Sequence, residues 1–190
     1  MARKLEVKLA KGTWEEAQTY VGKIIGSKIG ADKVEEGTIR RRLETIEFDC
    51  PLHYDDEAAK KAGYKGIIAP STMVLTYVTP AYWKPGDPHT KPDDPLKAIA
   101  LSLADVPAEG KRTFASDVEL EFFAPMYIGD RISCEDKLLD LIHKEIRVGK
   151  GAFMVQESTY KNQHGELVAI MRMSMFRYDP PEEKGGQANV

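Results

Sequence analysis

Pro70-Ser71-Thr72-Met73-Val74-Leu75-Thr76-Tyr77-Val78 is the stretch whose reading decides the fold. Proline suits the first position of a helix, where its missing N–H costs nothing. Met73, Val74, Leu75, Tyr77 and Val78 make the segment apolar on nearly every side. The spacing therefore predicts a helix from Ser71 to about Tyr82, buried all round. The first N–H groups of such a helix have no partner within it and can bind an oxyanion.

Immediately upstream lie Asp49-Cys50-Pro51-Leu52-His53 and the apolar Ile67-Ile68-Ala69. An acidic residue and a histidine four apart around a proline turn can serve as a general acid/base pair. Pro51 is expected to close the preceding helix and to leave Leu52-His53 extended. Asp55 or Asp56 caps a short helix through Ala62, which Gly63 stops. Cys50 reads as a small, partly buried thiol rather than a nucleophile. His89, His143 and His164 read as surface or turn residues.

Further toward the N-terminus, Thr13-Trp14-Glu15-Glu16 fits a capping box, with a helix to about Val21 that Gly22 and Gly26 end. Val34 to about Phe48 is a second helix, with Ile39, Leu43 and Ile46 on its apolar stripe. Arg40, Arg41 and Arg42 read as its solvated face; the sharper alternative is contact with the phosphates of a nucleotide-like ligand. From Trp83 to Gly110 the chain is rich in turn formers, with a short helix expected around Leu96 to Leu103. A connection this long is a functional loop, a lid or an interface arm.

After Gly110 the period changes to two. Phe114 to Phe122, Ile132 to Ile142, Ala152 to Tyr160 and Leu167 to Tyr178 read as strands. Gly129-Asp130, Gly149-Lys150-Gly151 and Asn162-Gln163-His164-Gly165 mark the turns between them. Helices first and antiparallel strands after make an α+β arrangement, with a sheet wrapped around the one buried helix. A single domain over residues 13–178 is expected, with a lead-in at 1–12 and a polar, flexible tail at 179–190.

The totals limit the function. The 190 residues carry a formal net charge of -3, which gives no pull toward nucleic acid or an anionic membrane. No apolar run is long enough to span a bilayer. Two cysteines without metal-site spacing point to a cytoplasmic protein with reduced thiols.

Three segments carry a resemblance to a known family. The first is Pro51-Leu52-His53-Tyr54-Asp55 with Ala58-Ala59, Gly63-Tyr64 and Ile68-Ala69-Pro70. The second is Glu119-Leu120-Glu121-Phe122-Phe123-Ala124-Pro125 with Gly129-Asp130, and the third is Tyr160-Lys161-Asn162-Gln163-His164-Gly165-Glu166. In order and spacing the chain resembles the MaoC-like acyl-CoA dehydratase/hydratase family, in its N-terminal or fatty-acid-synthase-type dehydratase branch, over roughly residues 13–178.

The resemblance implies a hot-dog fold, a curved antiparallel sheet around a central helix at Ser71 to Tyr82. It implies reversible addition of water to a 2-enoyl thioester, with coenzyme A or an acyl carrier protein as carrier and no metal or redox cofactor. It implies a homodimer or a heterodimer with a second hot-dog chain, or a higher oligomer. His53 falls on the family's catalytic histidine. The family's aspartate lies five residues before that histidine, where this chain has Phe48, and Asp49 is the nearest substitute. Ser71 stands where the family has glycine at the helix start, so Ser71 and Thr72 are the expected carriers of the oxyanion N–H groups. The alternative is a non-catalytic hot-dog subunit that pairs with a catalytic partner. A hot-dog thioesterase is the third reading.

Overall fold

A computed structural model describes residues 8–81, 83–89 and 101–181. Helices and turns come first: α1 (Trp14–Gln18), β1 (Ile24–Ile29), α2 (Glu36–Ile46), α3 (Asp56–Lys61), α4 (Val74–Tyr77) and α5 (Ser102–Asp105). Four long strands follow: β2 (Arg112–Phe122), β3 (Ser133–Ile146), β4 (Gly149–Lys161) and β5 (Leu167–Asp179). They form a five-stranded, wholly antiparallel sheet in the order β1-β3-β4-β5-β2.

The α+β expectation holds, and the sheet covers the segment from which the reading began. Val74, Tyr77 and Val78 pack in one core cluster with Met126, Ile132, Tyr160, Val168 and Met171. Along β4 the alternation is regular: Ala152, Met154, Gln156, Ser158 and Tyr160 are buried on the inner face. A second cluster joins Ala17 and Trp14 of the α1 turn to Leu103, Val106, Leu138, Met154 and Met175.

Three local expectations need correction. The helix expected from Ser71 to Tyr82 is much shorter, a 3-10 turn (Ser71–Met73) running into α4. Pro80 explains the early end, because it disfavours the helical region for Thr79 and brings no N–H of its own. Tyr82 lies outside the described residues. Next, Pro51–His53 is a 3-10 turn rather than extended chain. The residue that proline forces out is the preceding one, Cys50, at φ -129 and ψ 110. Gly26 does not end a helix; it sits inside β1, a strand absent from the sequence reading. Finally, the sequence reading set no order for the strands; among the described residues β2, the first of the four, pairs with β5 alone and lies at an edge.

The capping readings hold. Thr13 and Glu16 make the reciprocal capping box of α1, and Asp55 accepts from the N–H groups of Glu57 and Ala58 at the start of α3. Of the helix expected around Leu96 to Leu103, Leu101 is extended and Ser102 and Leu103 open α5, which runs on to Asp105; Leu96 to Ala100 lie outside the described residues, as do residues 90–95 of the turn-rich connection and 182–190 of the tail. At the exit of β1, Gly30 passes directly over the Tyr77 carbonyl. A Cβ there would overlap that oxygen, so the contact between β1 and the end of α4 requires glycine.

Candidate functional site

The geometry around His53 is set by how α2 ends. Glu47 adopts a left-handed conformation at φ 49, and the N–H groups of Glu47 and Phe48 both donate to the Leu43 carbonyl. That turn reverses the chain and decides where the next side chains go. Phe48 swings toward the histidine, its ring centroid 5.7 Å from that of His53. Asp49 goes the other way and accepts a hydrogen bond from the Tyr54 hydroxyl. That hydrogen bond raises the Tyr54 pKa above its ordinary value.

His53 itself is half-buried and held from one side. Its Nδ1 lies 2.8 Å from the Ile68 carbonyl oxygen, which can only accept, so Nδ1 carries a proton, and in the neutral imidazole the lone pair is at Nε2. The Ile68 N–H donates back to the Leu52 carbonyl at 3.2 Å, which pins the Pro51–His53 turn to the segment entering α4. His53 lines a cleft of about 520 Å³ with Glu36, Arg40, Glu44, Tyr54 and Ile67. Among the described residues no carboxylate hydrogen-bonds to His53.

Ser71 and Thr72 stand exposed at the open end of the 3-10 turn before α4, behind the buried Pro70. The N–H groups at such an end have no helical acceptor. Ile68, which holds His53, precedes Ser71 by three residues, so the imidazole and the helix start are within roughly 10 Å along the chain. The fold thus brings His53, Ser71 and Thr72 to one region, and it does not bring Asp49 to His53. Of the arginine triplet, Arg40 faces this cleft and pairs with Glu44 one turn on; Arg41 and Arg42 are solvated.

A second polar cluster lies on the inner face of the sheet, and the sequence reading missed it. Asp136 is fully buried. Its carboxylate accepts from Ser158 Oγ at 2.6 Å, Ser102 Oγ at 2.5 Å and Cys134 Sγ at 3.2 Å, with Lys28 Nζ at 3.2 Å. The available signal was weak: Asp136 and Ser158 are cross-strand partners, but only the register reveals it. Burial alone would push the Asp136 pKa up; the hydroxyls of Ser102 and Ser158, the Lys28 ammonium and the Cys134 thiol together hold it below its ordinary value. The Cys134 thiol is pushed up to about 12, first by burial and then by the Asp136 charge. It is therefore a neutral donor, not a nucleophile.

The sign for stability follows from linkage. A carboxylate with a lowered folded-state pKa stabilises the fold above its unfolded value, and that stability is lost as pH falls through the folded value. The urea midpoint of the wild type is expected to drop as pH falls below about 3.8, the ordinary value of this group. Asp136→Asn is expected to be less stable at neutral pH, with the gap to wild type closing in that acid range. A gap that stays constant with pH would show that the Asp136 charge plays no part.

Comparison with known proteins places this arrangement. Residues 21–171 match the family model described as "FAS1-like, dehydratase domain region". The chain is 30% identical over 167 residues to the "Probable enoyl-CoA hydratase alpha subunit" of Thermomonospora curvata, covering 86% of this chain and 51% of that protein. The crystal structure of the ChsH1-ChsH2 complex from Mycobacterium tuberculosis contains a chain with TM-score 0.65 and 26% identity, covering 88% of this chain and 91% of that one. A MaoC-like dehydratase from Rhodospirillum rubrum has the same fold at TM-score 0.54 and 21% identity, over 82% of this chain and 92% of that one. The chain spans about half the length of the curated relatives it matches first. Among the described residues no helix is long and apolar enough to cross a membrane.

Proposed function

The chain belongs to the MaoC-like hot-dog dehydratase family, in its FAS1-like dehydratase region, and from that premise we propose that it is one subunit of a two-chain acyl-thioester hydratase or dehydratase. Its reaction is reversible water addition to a 2-enoyl thioester. Its own contribution is the acyl pocket and the start of α4, while a second hot-dog chain brings the carboxylate of the acid/base pair.

One observation carries this division of labour. The position that should hold the aspartate is Phe48, packed on His53, and its nearest substitute in sequence, Asp49, is engaged by Tyr54. Hydration needs a base to take the proton of the attacking water and an acid to protonate Cα. His53 offers one lone pair at Nε2, and nothing on its own loop orients a water against it. A carboxylate from across an interface supplies the missing half. The names of the relatives agree with shared assembly: one is an alpha subunit, another forms part of a two-protein complex.

The parts this chain supplies have definite tasks. The Ser71 and Thr72 N–H groups polarise the thioester carbonyl and stabilise the enolate that forms as water adds to Cβ. Their donors are preorganised because Pro70 and Met73 are buried in the core. The substrate carrier is coenzyme A or an acyl carrier protein, and no metal or redox cofactor takes part in the chemistry.

A second reading has its own support. The His53 tautomer, fixed by Ile68, leaves Nε2 as a base, and Asp49 could assist it if Tyr54 moved away. Enoyl-CoA absorbance separates the two. The chain purified alone is expected to show no hydration above background, and co-expression with a hot-dog partner chain to restore it only while His53 is intact. Turnover by the isolated chain, abolished by His53→Ala, would overturn the two-chain reading in favour of the second.

A further inference from the structure

The outer face of the sheet, opposite the α4 core, carries an ordered pattern that the reaction does not use. Ile142, Phe153, Phe176 and Phe114 are cross-strand partners in turn, one from each of β3, β4, β5 and β2. Partners in register point to the same face, and Phe153 lies between the inward-facing Ala152 and Met154, so all four point outward. They form an apolar stripe across the sheet. Phe176 is fully buried yet belongs to neither core. The rings of Phe153, Tyr178 and Phe114 cover it, with centroids 4.6, 5.4 and 5.7 Å away. The two ends of the stripe are open, with Phe114 38% and Ile142 41% exposed.

Charge is divided about this stripe. On one side lie Lys144 in β3 and Arg112 in β2, joined in register through Gly151 and Tyr178. On the other lie Asp140 in β3 and Asp117 in β2, joined through Val155 and Ser174. The bulge between Ala115 and Asp117 is what brings Asp117 to the outer face at that level. All four charged residues are exposed, and among the described residues none forms an ion pair within the chain. The next row closes on itself instead, with Arg172 paired to Glu157.

A basic and an acidic stripe flanking an apolar one make a self-complementary surface. A twofold axis laid along the apolar stripe, in the plane of contact, sets the outer face of one copy over that of another with the strands antiparallel. Lys144 then stands over the second copy's Asp140, Arg112 stands over its Asp117, and the apolar stripes meet. Stacked sheets lie about 10 Å apart, a gap that lysine or arginine bridges to aspartate. The same long side chains take up the roughly 30° between aligned sheets.

We propose that the outer face of the sheet binds a second copy of this chain in this arrangement. From strand and residue spacings the three stripes cover roughly 20 by 20 Å, about 400 Å² per copy. That is a small interface, so the dimer is expected to form in the micromolar range. It leaves the open edge of β2 free for a different chain, and it does not depend on the reaction proposed above.

The test uses two single variants of the full chain, Lys144→Glu and Asp140→Lys, followed by sedimentation from roughly 1 to 500 μM. The wild type is expected to pass from monomer to dimer over this range. Each variant alone sets like charges together at two symmetric contacts, which should weaken its dimer about tenfold. An equimolar mixture of the two variants should recover the wild-type affinity, because both contacts of the mixed dimer again pair a lysine with a carboxylate. Arg112→Glu and Asp117→Lys repeat the exchange at the β2 end, so the result does not depend on the folding of one variant. A wild type that stays monomeric, variants that dimerise like the wild type, or a mixture no tighter than its components would each overturn the proposal. If the wild type is monomeric and Lys144→Glu instead weakens binding of a hot-dog partner, the face belongs to that chain and the proposal falls.

Discussion

Arg177→Ala is expected to lower the unfolding free energy by about 4 kcal/mol, a larger loss than any other single truncation in the second core should give. Arg177 is 2% exposed, and its guanidinium is spent on backbone carbonyls. Nε donates to Gly110 at 3.2 Å, Nη1 to Val106 at 3.1 Å, and Nη2 to Ala108 at 2.7 Å and Ala10 at 2.5 Å. Burial pulls its pKa down and Asp179 partly offsets that, but a guanidinium remains charged throughout the usual pH range.

These bonds tie three separate pieces of chain. The lead-in at Ala10 joins the segment after α5, and both join β5. The same strap is reinforced by Ala10 N–H to Ala104 at 2.8 Å and by the parallel bridge of Lys11 to Ala108. Truncation leaves carbonyls in a dry setting and frees the edge of the Leu103–Val106–Ala108 cluster. A shift in melting temperature of roughly 8–16 °C follows for a chain of this size. Hydrogen exchange should quicken first at Ala10 and Gly12. Arg177→Lys should recover only a minor part, since an ammonium cannot fork toward several carbonyls at once. A melting temperature unchanged in Arg177→Ala would show that the strap contributes nothing.

Much of this architecture was legible because it depends on local chemistry. Capping boxes, glycine turns and the period-two runs of β3 to β5 are written within a few residues of where they act. The family resemblance was legible for the same reason, in short loops around His53, Pro125 and Gly165. What could not be read depends on residues distant in sequence. β1 has few of the usual marks of a strand: Ile24 and Ile29 are exposed, and Gly26 interrupts it. It is a strand because β3 pairs with it and because Lys28 reaches Asp136, 108 residues away. The Asp136 cluster and the charged stripes of the outer face are consequences of register and stay hidden until the strands are aligned.

Two misreadings had signals that were present. Pro80 stands inside the helix expected from Ser71 to Tyr82, and the apolar run outweighed it in the reading. The short helix leaves a cavity beside Leu75 and Val118, where further turns would have packed. The other case is Asp49. Four residues from His53 looked like a pair, but spacing alone does not give direction. After the left-handed Glu47, Phe48 lies against the His53 ring and Asp49 meets the Tyr54 hydroxyl, and a non-glycine residue at that turn gives no warning in the sequence.

Charged substitutions on the edge strand β2 are expected to weaken assembly strongly. β2 is eleven residues long and, among the described residues, pairs on one side only, with β5. Its outer side offers unpaired backbone groups, and Phe114, Val118 and Phe122 are 38%, 52% and 41% exposed. Phe123, just beyond the strand, is 50% exposed. A long, apolar, open edge is a hazard that folded proteins cover or charge. β1, the opposite edge, is shorter and bulged between Ile24 and Gly26, so it is the poorer template. The partner that brings a carboxylate toward His53 is therefore expected to add its own edge to β2.

Aromatic anchors at the centre of an interface carry most of its energy. Phe122→Lys together with Phe123→Lys removes two of them and places like charges on the edge, which should weaken association by about a hundredfold. Both side chains are exposed in the separate chain, at 41% and 50%, so its melting temperature should fall far less than association does. Enoyl-CoA hydration by the mixture should fall with the fraction assembled, and return as the partner concentration is raised. Sedimentation of the mixture reads the first effect and absorbance the second. If association is unchanged in the double variant, the β2 edge is not the interface, and the missing carboxylate must approach His53 from the side of the Arg40–Tyr54 cleft instead.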